Sequence, residues 1–326
     1  MGGCGGSSSV TCGTTTLCMG ATMICRSIWR RSWKESPVAE PVQIALASDR
    51  NMIDAALVVI GTAARHASVP LRVHFMGRGL SPQDWARIAR ICEVGGAELV
   101  RHELSDAMLT GAVQRKAEIS LVAMARLFLP GLVRGRVLYL DCDVRVAADI
   151  ATLVVQPLNG ALMGVVRDFL VLDRVRQQGA ESPRLRDHFK VMGEVPVTEY
   201  FNSGVLVMDC DAINAQPGLA GEMTDVARAS TFPLSDQDYL NLLFAGRTQF
   251  LPLGWNAIWG RNAYHAKAVR QMDWLPEAER DTRARIIHYT GPKKPWKPVT
   301  LSAVLRGRGL ETLRYRQAAR QVLRQL

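Results

Sequence analysis

The sequence predicts an α/β protein in which helices flank a largely parallel sheet. Short apolar runs alternate with longer segments of helical periodicity, and polar residues follow several of the apolar runs. Strands are predicted over residues 42–47, 71–76, 97–100 and 136–140, with helices over 51–66, 81–94 and 114–129. This alternation is typical of a doubly wound sheet, in which ligands bind beyond the carboxyl ends of the strands.

Local signals support the individual elements. Ser81-Pro82 is expected to begin the second helix, because serine caps helices and proline fits their first turn. Pro130-Gly131 is expected to end the third helix. Beyond residue 150, strands are predicted over 161–166, 204–208 and 286–288, helices over 218–229 and 237–244, and a terminal helix after residue 300.

Composition predicts three parts. Residues 1–36 are rich in Gly, Ser and Thr and are expected to form a disordered leader, residues 37–300 one domain, and residues 301–326 a basic amphipathic helix. The chain of 326 residues is 48% hydrophobic with a mean hydropathy of +0.02, which is typical of a protein with a sizeable core. These values do not fit a membrane channel or a disordered chain.

Cysteine usage favours the cytoplasm. Four of the seven cysteines lie in the first 36 residues without a zinc-binding spacing. Cys92, Cys142 and Cys210 are isolated beside apolar segments, as expected of reduced thiols. Because the amino terminus also lacks the charged start of a signal peptide, we expect the protein to be cytoplasmic.

The net charge of +10 is concentrated at the two ends of the chain. Residues 301–326 hold six arginines and one glutamate, and residues 1–36 also carry an excess of basic groups. Basic ends on a nearly neutral body favour contact with an anionic surface and do not favour a nucleic-acid partner. We therefore expect a peripheral membrane contact at the inner face of the membrane, through the terminal helix. Alternatively, these arginines only keep exposed helices in solution.

Two carboxylates follow the apolar strand over residues 136–140. Side chains alternate faces along a strand, so Asp141 and Asp143 are expected to point the same way, close enough to share a hard cation. The alternative interpretation is a polar cap on a buried strand that ends in a turn.

Three further clusters place polar groups beside apolar structure. They are Tyr200 to Gly204 before a strand, Leu234 to Asp238 at the start of a helix, and His288 to Trp296 after a short strand. An imidazole from His288 suits a cation already held by two carboxylates, Gly291 allows close backbone approach, and Lys294 can balance phosphate charge. Taken alone, a histidine at a strand end is more often a packing residue.

Read in order, these motifs resemble those of glycosyltransferase family 8, the retaining nucleotide-sugar enzymes that include bacterial lipopolysaccharide galactosyl- and glucosyltransferases. The resemblance covers roughly residues 42–298. Its six motifs are Ala47-Ser48-Asp49 with Asn51, Arg126 in Ala125-Arg126-Leu127, Leu140-Asp141-Cys142-Asp143, Phe201-Asn202-Ser203-Gly204-Val205, Asp236-Gln237-Asp238, and His288-Tyr289-Thr290-Gly291 with Lys294-Pro295-Trp296. The implied fold is a single GT-A type domain with a Rossmann-like mixed sheet, followed by the basic terminal helix.

The resemblance also implies roles for individual residues. Asp141, Asp143 and His288 would ligate a divalent metal, Mn²⁺ or Mg²⁺. The catalytic candidates are Gln237 and Asp236, at the reacting face of the sugar. The donor, a UDP-hexose, would be bound by Ala47, Ser48, Asp49, Asn51, Arg126, Asp141, Cys142, Asn202, Gly291 and Lys294.

The expected reaction moves galactose or glucose to a saccharide or glycolipid acceptor, such as lipopolysaccharide or another cell-surface glycan. Because Gln237 is a poor nucleophile, we expect a front-face displacement in which Gln237 and Asp236 stabilise positive charge at the anomeric carbon and the leaving diphosphate accepts the acceptor's proton. The choice of hexose, the acceptor and the oligomeric state stay open.

Two departures and three alternatives qualify this interpretation. Met52 stands where the family usually has an aromatic residue, so stacking on the base from that position is lost, and Cys142 is interpreted as packing or as a backbone contact to ribose. A phosphatase of the haloacid dehalogenase type would need a later acidic cluster, and a nucleotidyltransferase a glycine-rich loop after the first strand; neither is present in the sequence. A catalytically silent nucleotide-sugar or glycan-binding protein on the same fold is the remaining alternative.

Overall fold

The computed structural model describes residues 1–2, 40–114, 120–193, 195–260, 262–298, 300, 304–305 and 307–326. The chain divides into two units, Met1–Ser36 and Pro37–Leu326, and the fold below is that of the second unit. Apart from Met1 and Gly2, the leader expected over residues 1–36 lies outside the described residues.

A seven-stranded mixed sheet forms the centre of the protein, in the order β3-β2-β1-β4-β7-β6-β8. Strands β3, β2, β1 and β4 are parallel, and β7 runs antiparallel to both β4 and β6. A second sheet has the order β5-β10-β9. The strands are β1 Val42–Ser48, β2 Leu71–Gly77, β3 Glu98–Glu103, β4 Arg136–Leu140, β5 Val144–Val146, β6 Met163–Arg167, β7 Phe201–Asp209, β8 Thr248–Phe250, β9 Ala257–Ile258 and β10 Ile286–His288.

Helices cover both faces of the large sheet, which confirms the predicted α/β class. The α-helices are α1 Ile53–His66, α2 Pro82–Gly95, α3 Leu129–Leu132, α4 Ala151–Val154, α5 Phe169–Gln178, α6 Pro183–Phe189, α7 Cys210–Asn214, α8 Leu219–Met223, α9 Val226–Ala229, α10 Asp236–Leu243, α11 Asn262–Val269 and α12 Gly309–Leu323. Short 3₁₀ helices span Arg50–Met52, Asp106–Leu109, Leu121–Phe128, Val197–Glu199, Leu253–Asn256 and Glu277–Glu279.

The core has two parts, one on each face of the sheet, because successive side chains of a strand point in opposite directions. On β1, Ile44 and Leu46 pack with α1 and α2, whereas Ala45 and Ala47 pack with the helices of the other face. The start of α2 is as predicted: the Ser81 hydroxyl accepts a hydrogen bond from the backbone N–H of Asp84, and the Asp84 carboxylate accepts one from the backbone N–H of Ser81.

The helix predicted over residues 114–129 differs from the structure. Leu121–Phe128 is a 3₁₀ helix, and the prediction that Pro130-Gly131 ends the helix is wrong, because α3 runs through both residues to Leu132. Pro130 lies in the first turn of α3, where its missing N–H costs no intrahelical hydrogen bond. Residues 115–119 of this predicted helix lie outside the described part of the chain.

The second sheet carries His288 to the end of β4. After Asp143 the chain enters β5, which pairs antiparallel with β10 so that His288 lies opposite Val144. The backbone N–H of Tyr289 donates to the carbonyl of Asp143. This register places His288 beside Asp143, although the two residues are 145 positions apart along the chain (288 − 143).

Helix α12 packs against α1. A Cβ on Gly61 of α1 would lie 2.5 Å from Cγ2 of Val322, so the glycine is what allows the two helices to approach this closely. Buried Glu311 ties the start of α12 to the second sheet, because it accepts hydrogen bonds from Arg145 at 2.5 Å and from the Tyr289 hydroxyl at 3.1 Å. Among the described helices, none is both long and apolar enough to span a membrane.

Candidate functional site

A cavity of about 540 Å³ opens at the carboxyl ends of β1 and β4 and beside the start of β7. Because β7 is antiparallel to β4, its first residues meet the last residues of β4 at this edge. The cavity is lined by Ala47, Ser48, Asp49, Met52, Ser120, Val122, Ala123, Arg126, Tyr139, Asp141, Cys142, Asp143, Asn202, Ser203, Leu234, Asp236, Gln237, His288, Thr290, Gly291, Pro292 and Lys294.

Asp141, Asp143 and His288 converge at one side of this cavity. Nε2 of His288 lies 3.1 Å from Oδ1 of Asp143 and 3.8 Å from Oδ2 of Asp141. One ligand atom from each of the three residues falls within 4.8 Å of the others. The three residues that the sequence analysis names as candidate metal ligands therefore lie together.

The surroundings of this cluster fit a divalent cation. Nδ1 of His288 is 2.9 Å from Oδ1 of Asn256, which leaves Nε2 facing the two carboxylates, as in many histidine ligands. Gly204 leaves the space between the ligands open, since a Cβ there would overlap the His288 ring and lie 2.7 Å from Oδ2 of Asp141. Two carboxylates and one imidazole are suitable donors for Mn²⁺ or Mg²⁺.

Lys294 provides the cluster with a positive charge from the protein itself. Its Nζ lies 2.5 Å from Oδ2 of Asp143 and donates to the Tyr289 carbonyl at 2.9 Å. Burial alone would raise the pKa of Asp143, but His288 and Lys294 outweigh it and hold that pKa well below its usual range. Burial would lower the pKa of His288, and Asp143 reverses this so that the pKa is raised.

Arg126 connects the acidic cluster to α10. Its side chain, only 3% exposed, lies 2.7 Å from Asp141 and 3.0 Å from Asp236 and donates to the carbonyl and hydroxyl of Ser203. Its guanidinium also stacks 4.4 Å from the ring centre of Tyr139. Burial raises the pKa of Asp236, with Arg126 acting in the opposite direction. Arg126 thus holds the carboxylates of Asp141 and Asp236 in place. It also lines the cavity, where the sequence analysis expects it to contact the sugar donor.

The amide of Gln237 is held by hydrogen bonds at both ends. Its Oε1 accepts from Nδ2 of Asn202 at 3.1 Å and from the backbone N–H of Ser203 at 3.2 Å. Its Nε2 donates to the Tyr200 hydroxyl at 3.0 Å and to Asp168 at 3.4 Å. The side chain of this catalytic candidate therefore has one defined orientation.

The residues expected to hold the nucleotide lie at the end of β1. Asp49 accepts from the backbone N–H of Asn51 at 2.9 Å and from the Ser120 hydroxyl at 3.0 Å. The Cys142 thiol lies 3.0 Å from the carbonyl of Ala47, and burial raises its pKa, which favours a packing role over an activated thiolate. Met52 lines the cavity in the place of the expected aromatic residue.

The structure thus brings nearly all of the predicted site residues to one cavity. The exception is Asn51, which is exposed and does not line the cavity. It contacts the site through its backbone N–H, which donates to Asp49. Sequence reasoning missed Ser120, Asp168 and Asn256, and it named Tyr200 as part of a polar cluster without giving it a role. Asp168 could have been found, because it follows the apolar strand β6 directly; Asn256, in a short 3₁₀ segment, has no comparable signal.

The sheet order, the carboxylate pair after β4 and the histidine at the end of β10 together define a GT-A type α/β protein with a candidate metal site. The sequence model described as "Glycosyl transferase family 8" matches residues 43–300. Since this covers most of the chain, the protein belongs to glycosyl transferase family 8.

Individual relatives agree with this assignment. The chain is 32% identical over 172 residues to the lipopolysaccharide 1,2-glucosyltransferase of Escherichia coli K12, covering 52% of this chain and 46% of that protein. It is 26% identical over 241 residues to glycosyltransferase GlyF of Streptococcus pneumoniae, covering 70% of this chain and 51% of that protein. The chain therefore spans about half the length of these two relatives.

Solved structures show the same fold. Galactosyltransferase LgtC, crystallised with donor and acceptor sugar analogs, matches 86% of this chain and 96% of its own with a TM-score of 0.68 at 24% identity. The bifunctional glycosyltransferase WbbM matches 89% of this chain and 53% of its own with a TM-score of 0.65 at 20% identity. At these identities the likeness establishes the fold alone.

Proposed function

We propose that the protein is a metal-dependent, retaining hexosyltransferase that moves galactose or glucose from a UDP-sugar to a saccharide acceptor. The single observation that carries this proposal is the convergence of Asp141, Asp143 and His288 with Asp236 and Gln237 on one cavity. The family membership and the sugar-transferring activities in the relatives' names support it.

The metal would be held by Asp141, Asp143 and His288. A divalent cation bound there would neutralise charge on a departing nucleoside diphosphate. Lys294 and the backbone at Gly291, which has a positive φ of 82°, would contact the same diphosphate. Ala47, Ser48, Asp49 and Cys142 would face the nucleoside, and Arg126 and Asn202 the sugar and its phosphates.

Gln237 and Asp236 would act at the reacting carbon. Asp236 is buried and fixed by Arg126, and the Gln237 amide is fixed by four hydrogen bonds, so neither group needs to reorganise as positive charge develops. An amide is a poor nucleophile, which favours front-face displacement with retention over a covalent intermediate. The leaving diphosphate would accept the proton of the acceptor hydroxyl.

The acceptor is proposed to be a glycolipid or another cell-surface glycan, lipopolysaccharide being one, with the enzyme in the cytoplasm and in peripheral contact with the inner face of the membrane. One face of α12 supports the membrane contact. The exposed residues of α12 and of its C-cap are Leu310, Leu313, Arg314, Gln317, Arg320 and, at the cap, Arg324. Leucines that insert between headgroups and arginines that pair with anionic lipids are typical of interfacial helices. In this proposal residues 37–300 form the catalytic domain, and residues 301–326 make the peripheral membrane contact.

The decisive experiment is a donor panel. Purified protein is incubated with UDP-galactose, UDP-glucose and other UDP-hexoses, with Mn²⁺, Mg²⁺ or EDTA, and release of UDP is measured by chromatography. We expect release with one hexose above the others, dependent on the metal. Absence of metal-dependent release from every donor would favour the catalytically silent binding protein. With an acceptor in hand, the anomeric configuration of the product by NMR tests retention.

A further inference from the structure

We propose that Asn256 is a positioning residue that joins the metal ligand His288 to the catalytic candidate Gln237. The inference rests on the proposed function, because it concerns how that site is held together. Asn256 ends the 3₁₀ helix Leu253–Asn256 and is 6% exposed. It is absent from the cavity lining, so its action on a substrate would pass through other side chains.

The Asn256 side chain forms two hydrogen bonds, one with Asn202 and one with His288. Its Nδ2 donates to Oδ1 of Asn202 at 2.9 Å, and its Oδ1 is 2.9 Å from Nδ1 of His288. An amide can serve two such neighbours only if one of them accepts and the other donates. The orientation of the Asn256 amide therefore decides whether Nδ1 of His288 carries a proton and donates, or lacks one and accepts.

The backbone settles this orientation. The backbone N–H of Gly204 donates a hydrogen bond to the Asn202 side chain at 3.1 Å. Because a backbone N–H can only donate, the atom of Asn202 that accepts this bond is its amide oxygen. Asn256 must then present its NH₂ group to that oxygen and its own oxygen to His288. His288 consequently keeps a proton on Nδ1 and turns Nε2 toward Asp141 and Asp143, which is the arrangement that a metal ligand requires.

Gln237 is hydrogen-bonded to Asn202 as well, through the amide NH₂ group of Asn202, which does not contact Asn256. With its oxygen committed to Gly204 and Asn256, Asn202 offers its NH₂ group to Oε1 of Gln237 at 3.1 Å. The N–H of Ser203 donates to that same oxygen at 3.2 Å, so a second backbone group independently fixes the direction. A continuous chain of hydrogen bonds thus runs from His288 through Asn256 and Asn202 to Gln237, and Asn256 is the residue in it that contacts the proposed metal ligand.

Two substitutions of Asn256 distinguish the effect of its hydrogen bond to His288 from the effect of its hydrogen bond to Asn202. Asn256→Asp keeps an oxygen for Nδ1 of His288 but has no donor for Asn202. We expect this variant to bind Mn²⁺ no more weakly than wild type, while UDP release from UDP-galactose or UDP-glucose falls at least about tenfold. Asn256→Ala removes both bonds, so we expect weaker Mn²⁺ binding, by about 10- to 100-fold, together with the loss of turnover.

Mn²⁺ binding is followed by electron paramagnetic resonance with and without UDP, and folding by thermal denaturation. Asn214→Ala is the matched control, because Asn214 bonds the Pro130 carbonyl beyond the other end of β7. A purely structural role for Asn256 would impair binding and turnover together in both variants, and that result overturns the inference. Full turnover in Asn256→Asp overturns it as well, even if Asn256→Ala does not fold. Wild-type protein that binds no Mn²⁺ would instead overturn the proposed metal site itself.

Discussion

Gly204 lies so close to His288 that a Cβ on residue 204 would overlap the imidazole ring. The same Cβ would lie 2.7 Å from Oδ2 of Asp141, so the space between two proposed metal ligands depends on a missing side chain. Gly204→Ala should therefore push His288 and Asp141 apart. We expect Mn²⁺ affinity to fall at least about tenfold, by analogy with the loss of groups that orient metal ligands, and metal-dependent UDP release to fall with it.

Gly221→Ala is the control for this substitution. Gly221 lies in α8, and nothing comes within 4 Å of the Cβ it would gain. Alanine there should leave Mn²⁺ binding unchanged and stabilise the helix by about 1 kcal/mol at most. Equal Mn²⁺ binding in Gly204→Ala and Gly221→Ala would contradict the proposed ligand set.

Ser235 has an unusual backbone conformation directly before Asp236. Its φ of 50° and ψ of −118° lie in a region that residues other than glycine rarely adopt. We expect Ser235→Gly to relieve this strain and stabilise the protein by about 1 kcal/mol, seen as a rise in melting temperature, with Asp236 and Gln237 still in place. Ser235→Ala keeps the strain and serves as the comparison; a Ser235→Gly protein no more stable than Ser235→Ala would show that residue 235 is not strained.

The sequence was sufficient to predict those parts of the site that depend on local pattern. Asp141 and Asp143 follow a strand whose apolar run is unmistakable, and Asp236 and Gln237 begin a helix close to the predicted one. The partners of Arg126 were beyond prediction, because Asp236 comes from a helix 110 positions further along the chain. Strand β5 has only three residues and resembled a loop, so the pairing that carries His288 to Asp143 was visible only through the family resemblance.

The loop with Gly291 and Lys294 is held by α12. Arg316 donates to the carbonyls of Pro295 at 3.0 Å and Lys297 at 2.8 Å, and Tyr315 packs against Trp296. Since Lys294 is proposed to contact the diphosphate, Arg316→Ala should loosen that contact. We expect UDP to bind several-fold more weakly in the presence of Mn²⁺, measured by calorimetry.

Arg247→Ala provides the comparison for Arg316→Ala, because Arg247 is exposed and follows α10 away from this loop. Both variants lose one positive charge, so a general electrostatic effect on UDP would appear in both. If the two bind UDP equally well, α12 does not hold the loop.

A contact between buried His74 and half-buried His102 predicts how stability depends on pH. His74 on β2 is 6% exposed, lies 3.0 Å from His102 on β3, and bonds Gln43 at 3.0 Å. Burial, followed by the proximity of His102 and Arg72, lowers the pKa of His74 to about 4. In the unfolded chain its pKa returns to about 6.5, so the unfolded state binds a proton that the folded state does not as pH falls below 6.5.

Stability should therefore be complete above pH 6.5 and decline toward pH 4. We expect His74 to account for about 1–2 kcal/mol of the free energy of unfolding lost between pH 7.5 and pH 5, measured by urea denaturation. His74→Gln should reduce this pH dependence, whatever its effect on stability at pH 7.5. An unchanged slope in His74→Gln would show that His74 is readily protonated in the folded protein.

The exposed face of α12 gives the membrane proposal a direct test. Deleting residues 301–326 would also remove buried Glu311, Tyr315 and Val322, so substitutions on the outer face are preferable. We expect Arg314→Gln, Arg320→Gln and Arg324→Gln together to abolish most binding to phosphatidylglycerol vesicles at low salt, since each basic residue near an anionic surface contributes about 1 kcal/mol. The same change in net charge at exposed Arg134, Arg184 and Arg247 should leave vesicle binding nearly intact. Equal loss of binding in the two triple variants would mean that net charge alone, and not the face of α12, determines the contact.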